Sequence, residues 1–171
     1  MFLNSLKKFI VKSRLKKVPA YLEDDFSNEK IKTVGLLIDE TYFDRKNELL
    51  ADLKSNGIKE ENITTVLYHD KEKKRDTSLA SFSMKQVSWA GLIEVKEVNS
   101  FLNQPFDLLI SYYDVEKPQL LYITQQSKAK CKAGFSSIDK KRNHLMIDTT
   151  AENNGIFISE LFRYLKILNK I

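Results

Sequence analysis

Cysteine is almost missing: Cys131 is the only one among 171 residues. No intramolecular disulfide can form, which suits a reducing compartment. Proline and glycine are scarce too, with three and five copies. That composition argues against disorder and against a turn-rich all-β fold. No apolar run approaches the roughly 18 residues of a membrane span. Lys7, Lys8 and Lys12 interrupt the apolar stretch a secretion signal would need. The cytoplasm is the expected compartment. Ile38 to Phe43, which follow the first predicted strand, contain no glycine. A dinucleotide fingerprint needs glycines there so that backbone N–H groups can approach a pyrophosphate. Gly-Lys-Ser/Thr and Gly-x-Ser-x-Gly are both missing, which removes the P-loop and the nucleophile elbow. His69 and His144 are the only histidines, and with one cysteine they offer no metal-ligand spacing. No metal and no cofactor is expected.

Acidic residues are missing from one end. Residues 1–22 hold Lys7, Lys8, Lys12, Arg14, Lys16 and Lys17 and no acid. The whole chain carries +5, with 28 basic and 23 acidic residues, so the remainder is close to neutral. Attraction to RNA or another anionic surface should therefore map to that end. Residues 2–17 read as a helix. Phe2, Leu3, Leu6, Phe9 and Ile10 fall within one face, and Val11, Leu15 and Val18 on another. Two readings stand. The first face docks on the body, or the helix stays exposed and binds an anionic partner. A homodimer through the same face is a third outcome. Pro19 ends the helix, and residues 19–30 read as a linker before a domain over 31–171.

In that domain strand and helix patterns alternate. Ile31–Ile38 reads as a strand, and Thr41 with Asp44 as a capping box opening a helix to about Ser55. Gly57 and Ile58 stop that helix. Ile63–Tyr68 is a β-branched strand. Residues 69–81 form a charged loop, and 82–91 fit either a short strand or a helical turn around Trp89. A helix over 94–102 leads to Leu108–Ile110, a continuous apolar run that suits a strand covered on both faces. Pro118 opens a helix to about Ser127. Cys131–Phe135 and His144–Ile147 are further strands. Asp148 or Thr150 can cap the last helix, whose stripe is Phe157, Leu161, Tyr164, Leu165 and Leu168. The fold class is α/β: one Rossmann-like domain with a mostly parallel sheet of about five strands, helices on both faces, and an appended basic helix over 1–18.

Ligands of such sheets sit beyond the carboxyl ends of the strands. The candidates there are Asp39, Glu40, Asp70, Tyr112, Tyr113, Asp114, Ser136 and Asp148. Strand ends are also polar simply because loops are solvated and helices are capped. Lys128, Lys130 and Lys132 alternate, as on a solvated edge or a phosphate contact. Cys131 reads as a core residue.

Val34–Phe43, Phe106–Asp114, Gln126–Lys130, Gly134–Asp139, His144–Asp148 and Leu161–Lys170 together resemble a small family of uncharacterised flavobacterial proteins with a domain of unknown function. That resemblance covers most of the chain and implies no activity. Residues 106–135 are similar to the N-terminal half of heptosyltransferase-like glycosyltransferases, through Asp-Leu-Leu-Ile, a helix, and Ala-Lys-x-Lys-x-Gly-Phe. Those enzymes use two Rossmann-like halves. Asp39 resembles the nucleophile of haloacid-dehalogenase-type phosphatases, but Thr41 stands where they carry a second aspartate. The functional expectation is a non-enzymatic cytoplasmic binding or interaction module. The alternative is a small enzyme or degenerate glycosyltransferase-like domain that binds a nucleotide or phosphosugar at the strand ends.

Overall fold

The structure is a computed structural model that describes residues 2–17, 29–70 and 79–171, with Phe2 and Lys17 described in backbone only. Most of the expected linker and the centre of the charged loop lie outside the described residues. Six strands form one sheet: β1 Val34–Asp39, β2 Ile63–Tyr68, β3 Ala80–Phe82, β4 Leu108–Tyr112, β5 Cys131–Phe135 and β6 Leu145–Ile147. Their order is β3-β2-β1-β4-β5-β6, and every pairing between them is parallel. The helices are α1 Phe2–Lys17, α2 Lys46–Ser55, α3 Lys96–Asn103, α4 Pro118–Gln126 and α5 Asn154–Ile167. The α/β class holds, with one strand more than expected.

The extra strand is β3, and it corrects the charged loop expected over 69–81, whose last two residues, Ala80 and Ser81, pair with β2, while only Phe82 falls in the stretch where strand and turn were both open. Both occur: β3 runs into a 3₁₀ turn over Met84–Gln86, which a Ser83–Gln86 capping box holds. Three residues are too few for a periodic signal.

β1 and β4 form the centre. Every residue of both strands is buried. That is why they read as continuous apolar runs rather than alternating ones. Consecutive β4 residues face opposite ways. The Ser111 hydroxyl bonds Thr124 of α4 at 2.8 Å, whereas the Tyr112 ring meets Phe157 of α5 edge-on at 5.1 Å. So α4 lies on one face and α5 on the other. α2 packs beside α5, and α1 beside α4.

The amino ends of β1 and β4 are clasped. Asp107 Oδ2 accepts from the Thr33 amide at 2.9 Å, the Lys32 amide at 3.0 Å and the Thr33 hydroxyl at 3.0 Å. The Asp107 amide donates back to Thr33 Oγ1 at 3.0 Å. Burial alone would raise the Asp107 pKa, but these donors and Lys130 outweigh it and hold the carboxyl below its usual range.

Two expected caps are corrected. α2 begins at Lys46 and not at Thr41, because Thr41 is drawn into contacts with the neighbouring strand end. α5 begins at Asn154 behind Asn153, while Asp148 takes the Ser136 hydroxyl and Thr150 accepts from Asn153. The α5 stripe is present in Phe157, Leu161 and Leu165, but Leu168 is exposed.

α1 docks, though not by the face expected to dock. Val11 and Leu15 are buried at 1% and 5% exposure. Leu3, Leu6 and Phe9 are exposed. α4 and the segment through Gly91 provide the docking surface. That seat matches the narrower Val11–Leu15 side.

Glycine substitutions test this packing. A Cβ on Gly35 would lie 2.6 Å from the Phe106 ring, under the 4.9 Å Phe101–Phe106 pair. Gly35→Ala is expected to cost about 1–3 kcal/mol in denaturant unfolding. Gly155 lies in α5 with open space around it, so Gly155→Ala should stabilise by roughly 0.5–1 kcal/mol.

Candidate functional site

Strand order reverses between β1 and β4, so the crevice beyond their carboxyl ends is where a sheet of this topology takes a ligand. A side chain of the protein itself occupies that place. Lys117 precedes Pro118 at the start of α4, and only 8% of its side chain is exposed. Its Nζ stands 2.7 Å from Asp39 Oδ2 at the end of β1 and 3.1 Å from Asp70 Oδ2 just beyond β2. It donates to Thr41 Oγ1 at 3.1 Å. Tyr42 and Tyr68 flank it with ring centroids at 4.7 and 4.9 Å. The Asp39 contact is an ion pair, since no donor is aligned for a hydrogen bond on Oδ2.

A second tier of contacts holds the cage. The Tyr68 hydroxyl donates to Asp70 Oδ1 at 2.6 Å. The Thr41 amide donates to Asp39 Oδ1 at 3.0 Å, and the Asp70 amide to Thr41 Oγ1 at 3.1 Å. Burial, and then the bond to Asp70, push the Tyr68 hydroxyl well above the ordinary tyrosine range. Burial would raise Asp70, but the Tyr68 and Lys117 bonds prevail and hold it below the usual carboxylate value. Lys8 of α1 adds a smaller effect in the same direction. Glu40 lies alongside and pairs with Lys46 at 2.7 Å.

The remaining candidates do not join this cage. Tyr112 and Tyr113 are fully buried, one on each face. The Tyr112 hydroxyl donates to the Ala151 carbonyl at 2.8 Å, and the Tyr113 hydroxyl meets Thr124 Oγ1 at 2.7 Å. Burial, its largest influence in each case, raises both above the usual phenol range. Asp114 Oδ2 accepts from the Ala151 amide at 2.9 Å, and its carbonyl accepts from the Ser137 hydroxyl at 2.8 Å. Ser136 donates to Asp148 at 2.8 Å. The eight candidates thus divide into one cage around Lys117 and several local ties between strand ends and loops.

Lys117 was not among the residues singled out by sequence, though a signal existed. A lysine at the N-cap of a helix sits against the positive end of the helix dipole. Such a local conflict marks a position whose reason is tertiary.

Among the described residues no group of three His, Cys, Asp or Glu could hold a metal. The alternating lysines are not one solvated row. Lys128 is exposed, and Lys130 bridges Glu29 at 2.6 Å and Asp107 at 3.1 Å. Lys132 is buried, with Nζ 3.3 Å from the Gln125 carbonyl, and burial brings its pKa down to about 8. Cys131 is a core residue, and burial pushes its thiol up to about 11.

Residues 4–168 match a family of unknown function, DUF6913. The chain belongs to that family. Neither curated proteins nor solved structures returned a match, so the heptosyltransferase-like similarity gains no support from relatives.

Two predictions follow from these buried cations. Lys117→Met strands the Asp39 carboxylate, so it is expected to cost about 3–5 kcal/mol in denaturant unfolding. Adding Asp39→Leu should recover most of that loss. For Lys132 the folded pKa of about 8 lies below the ordinary 10.5. Between those values the unfolded chain binds more protons, so stability rises with pH from about 8. Cys131, raised from 9.0 to about 11, opposes this above pH 9. Melting temperatures should therefore rise between about pH 7.5 and 9 in the wild type and stay flat in Lys132→Met.

Proposed function

We propose that this protein is a non-catalytic binding module of the cytoplasm that meets an anionic partner through the outer face of α1. The observation that carries this reading is what α1 leaves in water. Its inner side buries Val11 and Leu15, while Lys12 and Lys16 stay exposed beside Leu6 and Phe9. Large apolar groups beside unopposed cations on one helix face are features of an interaction surface. The filled crevice supports the same reading. A nucleotide or phosphosugar would have to expel Lys117 from two carboxylates and two aromatic rings before it met the strand ends. The docked helix also implies that binding and folding share an element, so surface variants test this reading more cleanly than truncation.

Lys12→Glu/Lys16→Glu alters only exposed positions and should leave the melting temperature unchanged. Heparin and polyuridine serve as polyanion probes in fluorescence anisotropy. The wild type is expected to bind heparin with an affinity that falls steeply with salt, and the double variant about tenfold or more weakly. Loss of heparin binding in the wild type would overturn the proposal. So would a melting-temperature rise of several degrees with a nucleotide or sugar nucleotide, which would point back to a ligand at the strand ends.

A further inference from the structure

The contact surface of α1 continues onto the body. Residues of a helix turn by roughly 100° each, which puts Leu6, Phe9 and Ser13 in one outward arc with Lys12 and Lys16 along its border. Val11 and Leu15 occupy the opposite, buried arc. Leu3, Ile10 and Arg14 lie toward one flank, where the 88–92 loop rises beside the helix. A Cβ on Gly91 would stand 3.1 Å from Ile10 and 3.3 Å from Arg14. Gly91 has φ +74°, so the turn brings the loop against α1 at a conformation glycine favours. The loop carries Trp89 and Leu92, both exposed at 54% and 45%. Lys7 Nζ stands 5.4 Å from the Trp89 ring centroid. Five large apolar side chains, Leu3, Leu6, Phe9, Trp89 and Leu92, thus point to solvent from two neighbouring segments.

Resting on the reading of α1 as a contact surface, we propose that its partner is the anionic surface of a lipid bilayer, on which α1 and the 88–92 loop lie flat. Three features select this occupant. The exposed apolar arc has lysines along one border, so its apolar groups can enter the acyl chains of a membrane interface while the ammonium groups meet the phosphates. Tryptophan favours that same interface, having an apolar body and one N–H. The positive charge of the chain is concentrated here, in six basic residues of the first 22 with no acid, against a near-neutral remainder.

The other occupants fit less well. Leu3, Leu6 and Leu92 neither stack on bases nor bond phosphates, so a nucleic acid would leave them without a role. A second copy paired through this face would bring the same lysines together, with like charges opposed. The attachment is peripheral. Among the described residues no helix is long and apolar enough to cross a membrane.

Vesicle sedimentation tests the inference, with Trp89 as the reporter because it is the only tryptophan. The probes are phosphatidylcholine vesicles with and without phosphatidylglycerol. The wild type is expected to sediment with the mixed vesicles only, with its emission shifted to the blue. Leu6→Ser/Phe9→Ser should lower vesicle binding about tenfold or more while heparin binding stays intact. Lys12→Glu/Lys16→Glu should lose both. Thermal melting confirms that each variant is folded. Heparin or polyuridine binding without vesicle binding overturns the membrane inference and leaves the contact surface standing. Binding of neither overturns both. Vesicle binding that survives Leu6→Ser/Phe9→Ser also overturns the inference. So does a wild-type dimer, seen in sedimentation velocity, that these substitutions dissociate.

Discussion

Everything in this domain is referred to the seam between β1 and β4. There the chain stops building the sheet in one direction and starts in the other. No residue of either strand reaches solvent, so the seam's polar ends need partners from the protein itself. They find them in two charged devices. Asp107 closes the amino end by accepting three hydrogen bonds from Lys32 and Thr33. Lys117 closes the carboxyl end by joining Asp39 to Asp70. One is a carboxylate that collects amides. The other is an ammonium that separates carboxylates. Each reaches from the loops around β4 to the neighbouring strands. The parallel register is thereby held at both ends as well as along its ladder.

The second device bears on the proposed function. In a doubly wound sheet the switch point is a gap that the fold leaves by construction, because the loops after the two central strands diverge. Ligands of such sheets are held there by glycine-rich turns and helix N-termini. Here the turn after β1 has no glycine, and a lysine sits where an anion would meet α4. The cation opposes the helix dipole, but two carboxylates and two aromatic faces offset that cost. The gap is converted into a structural bridge. A surface for partners is then to be sought where the chain leaves apolar groups uncovered, and α1 with the Trp89 loop is such a place.

The strands and helices with a strong period were legible because burial on both faces, or on one, writes itself into local order. β4, α4 and the inner stripe of α5 are examples. β3 was not legible, since three residues carry no period. Caps failed for a different reason. Thr41 and Thr150 have the right chemistry for an N-cap, but tertiary partners take the Thr41 oxygen and the nearby Asn153 takes that of Thr150. The strand-end residues were correctly placed at the carboxyl edge. What they do there was hidden, because a hydrogen bond from Ala151 to Asp114, or an ion pair between Lys117 and Asp70, depends on chain crossings that no spacing records. Lys132 shows the limit most clearly. Its alternation with Lys128 and Lys130 suggested water, and the β5 register carried it under cover instead.

The two faces of α1 explain why its apolar stripe is split. A free arm with one clean stripe would have to choose between folding onto the body and meeting a partner. With Val11 and Leu15 turned inward, the helix is already ordered before any partner arrives. Binding then avoids much of the ordering entropy that a disordered basic tail must lose. The cost falls on the resting state, which keeps Leu3, Leu6 and Phe9 in water. Lysines along the same helix make that exposure tolerable, since like charges hold copies apart in solution. In the proposed role the same cations draw an anionic surface close. On the proposed reading, one short helix serves stability and recognition with different sides, and the slip in its hydrophobic stripe is the sequence record of that division.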